Sequence, residues 1–229
     1  RSDIVPLAGK TGTAQSGIYK NGREICRTWF AGFFPADAPE YIIVVMNEDG
    51  MGGKGAGWYS AGIDTDSDSP KGFSQKYGYF ECRCILPEGA DIWSAFWLMN
   101  SGVFDEDGSG RDGTEIDIFE SDRYDNFPSN SVTSNLHFDG YNDAHQKLGA
   151  KCFLLKNNPY KEYNTYGLEW NENEYIFYIN GVETFRTDFG GVSQNGEYVI
   201  LSVEMKGENG IPSERENAPA DEAQFIVDY

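Results

Sequence analysis

Apolar and polar residues alternate with a period of two along most of the chain, interrupted repeatedly by Gly, Pro, Asn and Asp. WYSAGIDT (58–65), KYGYFECRCILP (76–87), WSAFWLMN (93–100), TEIDIFES (114–121) and SVTSNLHF (131–138) read as strands, as do YNTYGLEW (163–170), EYIFYING (174–181), VETFRTD (182–188), EYVILSVEM (197–205) and QFIVDY (224–229). No stretch sustains a 3.6-residue apolar period, so no strong helix is predicted. About ten strands without helices predict an all-β fold, a sandwich of two antiparallel sheets. The polar stretches SGVFDEDGSGRDG (101–113) and KGENGIPSERENAPADEA (206–223) read as rim loops.

Ahead of these strands, CRTWFAGFF (26–34) and YIIVVMNE (41–48) flank PADAPE and predict a hairpin, and Asn21-Gly22 marks a tight turn before it. DGMGGKGAG (49–57) has the composition of a joint and divides the chain into 1–52 and 53–229. The hairpin carries more apolar surface than an isolated pair can bury. It is therefore expected to pack on the sandwich.

Composition narrows the partners. Aromatic residues at 15% and 27 glycines suit a twisted, turn-rich sheet protein. A net charge of −19 opposes nucleic acid, anionic membranes and sulfated polymers, and favours neutral ligands. No apolar run is long enough to span a bilayer. The chain begins at Arg1 with neither Met nor leader, as expected of a trimmed or mature fragment. Cys82 and Cys84 share a strand face and are poor disulfide partners for each other. With Cys26 and Cys152 they form no CxxC or Cys/His cluster, so buried thiols are expected and no metal ligation.

The stretch EIDIFE sets Glu115, Asp117 and Glu120 among Ile116, Ile118 and Phe119. Strict alternation puts Glu115 and Asp117 on one face but sends Glu120 into the core, where a lone ionised carboxylate is costly. A β-bulge resets the alternation, turning Phe119 inward and Glu120 back to the acidic face. Glu115 and Glu120 then stand about four strand positions apart, roughly 13 Å between Cα atoms, and leaning side chains shorten that. Taken alone, three acids also fit a solvated strand or a calcium cluster. Trp93 and Trp97 share a face and suit the floor of a sugar-binding groove, as they also suit core packing. Asn135 and His137 share a face of the next strand. Tyr59, Trp170 and Glu204 are further candidates for sugar contact, Trp170 being equally suited to the core.

In order, KYGYFECRCILP, IWSAFWLMN, EIDIFE, NLHF, YGLEWNENEYIFYINGVET and FIVDY resemble glycoside hydrolase family 16, over about three quarters of the chain. The resemblance implies a concanavalin A-like jelly roll and a retaining endo-β-glycanase, acting on β-1,3- or mixed β-1,3/1,4-glucan. It makes Glu115 the nucleophile, Glu120 the general acid/base and Asp117 a hydrogen-bonding neighbour of the nucleophile. It places Asn135 and His137 near the cleavage point. No catalytic cofactor is implied. Asp228 matches a position that binds structural calcium in some members. A secreted, extracellular setting follows from a polymeric substrate. Alternatives are a β-galactan substrate such as agarose or porphyran, a non-catalytic carbohydrate-binding jelly roll, and a weakly active gene fusion. The chain lacks the family's first strands and stops where its last strand usually continues.

LAGKTGTAQ (7–15) with RTWFAGFFPADAPEYIIVVMNEDG (27–50) is similar to the C-terminal strands of a penicillin-binding transpeptidase domain, Lys10-Thr11-Gly12 matching its K-T-G element. Such enzymes also need Ser-x-x-Lys and Ser-x-Asn upstream. The chain has no Ser-x-x-Lys, and Ser193-Gln194-Asn195 lies far downstream. The segment is read as a non-catalytic scaffold.

Overall fold

The structure is a computed structural model that describes residues 8–20, 23–34, 41–51, 61–65, 72–89, 91–122, 130–205 and 224–229. Asn21-Gly22, PADAPE, Tyr59 and the 206–223 stretch lie outside the described residues. The chain divides into two compact units, Arg1–Ile63 and Asp64–Tyr229.

The first unit holds β1 (Ala8–Lys20), β2 (Arg23–Phe34) and β3 (Tyr41–Met51). They form an antiparallel sheet of order β1-β2-β3. The hairpin read from the sequence is β2–β3. The long strand β1, rich in Thr and Gly and weak in apolar alternation, completes the sheet and carries Lys10-Thr11-Gly12 opposite Ala31, Phe30 and Trp29.

β4 (Ala61–Asp64) spans the division, and after it stand β5 (Gly78–Ile85), β6 (Ile92–Met99), β7 (Glu115–Asp122), β8 (Ser131–Phe138) and β9 (Gln146–Lys147). After them come β10 (Lys151–Leu154), β11 (Asn164–Trp170), β12 (Tyr175–Ile179), β13 (Val182–Thr187), β14 (Tyr198–Met205) and β15 (Ile226–Val227). One sheet has the order β10-β8-β7-β6-β14-β4, with β9 pairing β8, and the other the order β13-β12-β11-β5-β15. This is the jelly-roll sandwich, with antiparallel pairing in the registers of β5 to β15. A 3-10 turn, Ser101–Phe104, follows β6. Asn180 and Gly181 join β12 to β13 with φ of 51° and 72°. Left-handed values at both central residues define the two-residue hairpin turn that matches strand twist.

The inward residues of the two sheets make one core. Leu98, Ile116, Phe119 and Leu136 come from the first sheet, and Cys82, Cys84, Tyr166, Leu168 and Phe177 from the second. Phe119 meets Tyr166 across it with ring centroids 4.2 Å apart. Each buried Leu, Ile or Phe among them contributes roughly 1.5–3 kcal/mol by leaving water.

Trp170 belongs to this core and not to a sugar-binding face. It is 1% exposed, and it packs edge-on to Tyr77 at 5.5 Å and stacked on Phe80 at 6.3 Å. Its position on β11 puts it in the sheet opposite the acids, a fact that period-two alternation alone does not reveal. Cys82 and Cys84 are buried free thiols, and burial pushes the Cys84 thiol far up. Cys152, on the short outer strand β10, is exposed, which corrects the expectation of burial for that thiol.

Candidate active site

Strand β7 sits between β6 and β8, and its registers with the two neighbours reveal the bulge. On the β6 side, Phe96 and Trp97 face Phe119 and Asp117, so Ile118 has no opposite number. On the β8 side, Asp117 pairs Asn135 and Glu120 pairs Thr133, leaving two residues against Ser134. Ser134 Oγ donates to the carbonyl of Ile118 at 2.8 Å. Ile118 and Phe119, 3% and 0% exposed, both turn inward, and Glu120 returns to the face of Glu115 and Asp117.

That face is a groove of about 160 Å³, lined by Trp93, Ala95, Trp97, Glu115, Asp117, Glu120, Ser202 and Glu204. Three adjacent strands supply it. Ala95 stands beside Glu120, and on its other side beside Ser202; its methyl group leaves the space a larger residue would fill. Trp97 Nε1 donates to Ser202 Oγ at 3.1 Å, which orients the indole. Glu204 on β14 pairs with Trp93.

On the β8 side, His137 pairs with Glu115 and Asn135 with Asp117. The Asn135 amide donates to His137 Nε2 at 2.7 Å while its Oδ1 accepts the Leu136 N–H at 3.0 Å. Nε2 is thus an acceptor, so Nδ1 carries the proton and donates to His145 Nε2 at 2.8 Å. Burial holds His137 below the usual histidine value, in keeping with a neutral ring.

The carboxyls differ in environment. Glu120 is pushed up to about 9, by burial first and then by the charges of Asp117 and Glu115; His137 and a hydrogen bond from Trp93 oppose the rise. Glu115 is also raised by burial, but a hydrogen bond from Tyr141 and the proximity of His137 pull it down. Asp117, 3% exposed, is held well above the carboxylate range by burial and by Glu115. Its Oδ2 is buried without a hydrogen-bond partner, 3.4 Å from His137 Nε2.

Glu115, Asp117 and His137 each bring a potential metal-ligand atom within 4.8 Å of the others. Both nitrogens of His137 are already engaged. Asp228, the position where structural calcium was considered, pairs its carboxylate with Arg83.

The structure therefore brings together Trp93, Trp97, Glu115, Asp117, Glu120 and Glu204 in one groove, with Asn135 and His137 on its flank, and leaves Trp170 out. Three participants escaped the sequence reading: Ser202, Tyr141 and His145. Tyr141 donates to Glu115 Oε2 from the loop after β8. The stretch DGYNDAH (139–145) has turn residues but no period, so nothing in it signals which side chain points back to the strand.

The family described as Glycosyl hydrolases family 16 matches residues 56–204. The penicillin binding protein transpeptidase domain matches residues 1–63. Endo-1,3-1,4-beta-glycanase ExsH of Rhizobium meliloti (strain 1021) is 28% identical over 174 residues, 75% of this chain and 32% of that protein. EglC, a second endo-1,3-1,4-beta-glycanase of the same organism, is 26% identical over 68% of this chain and 30% of its own length. The chain thus spans about a third of these curated relatives. The catalytic domain of an endo-1,3-beta-glucanase (laminarinase) from Thermotoga petrophila superposes with a TM-score of 0.56 at 23% identity, over 73% of this chain and 66% of that one. A family 16 endo-glucanase from Bacteroides ovatus gives a TM-score of 0.56 at 16% identity, over 96% of this chain and 91% of that one.

Proposed function

Since the chain belongs to glycosyl hydrolase family 16, we propose that it is a retaining endo-β-glucanase acting on β-1,3- or mixed β-1,3/1,4-glucan. The observation that carries this reading is the bulge in β7. It puts Glu115 and Glu120 on one groove-facing side while their surroundings hold protons unequally. A carboxyl that keeps its proton to about pH 9 suits a general acid. One relieved by a hydrogen bond suits a nucleophile. The names of the relatives, endo-1,3-1,4-beta-glycanases, support the linkage.

In the first step Glu115 attacks the anomeric carbon as Glu120 gives its proton to the departing glycosidic oxygen. In the second, Glu120 takes a proton from water as that water displaces Glu115. Trp93 and Trp97 offer ring faces to the C–H faces of sugars. The endo mode follows the names of the relatives, endo-1,3-1,4-beta-glycanases. The net charge of −19 fits a neutral polymer better than a sulfated one. A polymer too large to enter cells places the activity outside them. No helix among the described residues is long and apolar enough to cross a membrane. The N-terminal unit acts as a scaffold without transpeptidase chemistry.

The test is reducing-sugar release from laminarin, lichenan, barley β-glucan and agarose by the protein and by its Glu115→Gln and Glu120→Gln variants. Release from the glucans and at least a thousandfold loss in Glu115→Gln are expected, with binding retained. Release from agarose alone would move the substrate to galactans. Binding without release by the parent would make the protein a carbohydrate-binding jelly roll. Proton NMR of the first product is expected to show the β anomer; the α anomer would exclude retention.

A further inference from the structure

We propose that Tyr141 is a positioning residue for Glu115, its phenol holding one carboxylate oxygen so that the other is presented to the anomeric carbon. The proposal rests on the reading of Glu115 as nucleophile.

The loop between β8 and β9 is anchored at its start. Asp139 is buried with φ of 59°, and its Oδ1 accepts the backbone N–H groups of Asp107 and Gly108 at 3.2 and 3.1 Å. Gly140, with φ of 67°, donates its N–H to the Val103 carbonyl at 2.6 Å. Left-handed geometry at two successive residues turns the chain sharply, and both are tied to the 103–108 segment. Tyr141 follows directly. Phe104 meets its ring edge-on at 5.7 Å. His145, bonded to His137, lies 5.7 Å away on a second contact. Tyr141 is 47% exposed as a residue, but its ring is braced by Phe104 and His145 and its hydroxyl donates to Glu115 Oε2.

The charge around Glu115 makes this bond consequential. Asp117 and Glu120 share its strand, Glu204 faces it from β14, and His137 lies opposite on β8, with His145 and Lys147 beyond. Acids dominate, and burial opposes ionisation of the group that must attack as an anion. The Tyr141 phenol is the hydrogen bond that favours the anion.

A hydrogen bond to a carboxylate is stronger than one to a neutral ester. When Glu115 forms the C–O bond to the sugar and the leaving oxygen takes the Glu120 proton, the negative charge on Glu115 disappears and the phenol's bond weakens. When water adds to the same carbon and gives its proton to Glu120, the electron pair of the breaking bond returns to Glu115 and the phenol's bond strengthens. Tyr141 therefore favours the ionised resting enzyme and the second step.

Tyr141→Phe keeps the ring and removes the donor. The first measurement is a carbon-13 NMR titration of glutamate carboxyls, with Glu115→Gln assigning the signal. The Glu115 midpoint is expected to rise by about one pH unit, a tenfold change in its ionisation constant. The second measurement uses a dinitrophenyl β-glycoside of a β-1,3/1,4-linked glucose oligomer, following the burst of dinitrophenol and the intact mass. A larger covalent fraction and a slower second step are expected in Tyr141→Phe. An unchanged Glu115 midpoint would overturn the proposal, as would a loss confined to KM or to thermal stability. If the parent releases no dinitrophenol, the glucanase reading fails, while the midpoint still decides whether Tyr141 holds Glu115.

Discussion

At Glu120 the carboxyl is enclosed by Trp93, Ala95 and the acid neighbours on its own strand, and those surroundings have a direct consequence for pH dependence. In the proposed mechanism Glu120 works protonated, so kcat/KM should fall as pH rises through about 9. The same mechanism needs Glu115 ionised, so the acid limb should lie above the ordinary glutamate value. A pH–rate profile on soluble β-glucan oligomers checks both limbs; an alkaline limb near pH 6 would contradict the environment seen at Glu120. The acid triplet itself was legible in the sequence, because three carboxylates among core residues need a groove to face. Their unequal proton affinities were not, because these depend on groups distant in the chain: Glu204 and His137 for Glu115, Trp93 and His137 for Glu120.

Strand β7 shows how an element converts a broken pattern into a site. The bulge follows from the cost of burying Glu120, so alternation read along EIDIFE anticipated it, and the registers with β6 and β8 place it at Ile118–Phe119. Deleting Ile118 should therefore be far milder than a strand deletion usually is. With that residue gone, Glu115, Asp117 and Glu120 fall on one face by plain alternation, with Ile116 and Phe119 inward. Deleting Ile116 instead sets Glu115 and Asp117 on opposite faces, the usual result of a one-residue slip. We expect the Ile118 deletion to fold and retain measurable glucan hydrolysis, and the Ile116 deletion to have none; circular dichroism with an activity assay distinguishes them. Strand assignment was legible wherever alternation ran for six or more residues. It missed β9 and β10, short strands at the sheet edge, where the cue is pairing with β8 and not a pattern in their own sequence. It could not tell Trp170, which fills the core from one sheet, from Trp93 and Trp97, which line the groove on the other, because the period gives the face but not the sheet.

For the whole molecule, the same buried acids set how stability varies with pH. Glu120 and the fully buried Glu197 are raised to about 9 and about 8, and Asp117 is raised as well. Glu197 earns its burial structurally: its Oε1 accepts the Thr114 N–H at 3.2 Å, fixing the residue before Glu115, and is 3.4 Å from the Asn100 amide. A carboxyl whose pKa is higher folded than unfolded binds protons more tightly in the native state. Its stabilisation is full below the unfolded value and is lost as pH rises through the folded value. Each pH unit across that window costs about 1.4 kcal/mol per group. The melting temperature should therefore fall steadily from pH 5 towards pH 9, opposite to a protein held by ionised carboxylates. The net charge of −19 adds repulsion in the same direction. Salt separates the two causes, because it screens surface repulsion and leaves buried groups largely untouched. Glu120→Gln separates them again. The amide mimics the protonated acid, so at pH 8 the variant should melt higher than its parent, while its activity is lost. Melting curves at low and high salt for both proteins decide the matter: equal melting temperatures at pH 8 would mean that the groove does not hold Glu120 protonated, and the assignment of that residue as the general acid would lose its electrostatic support.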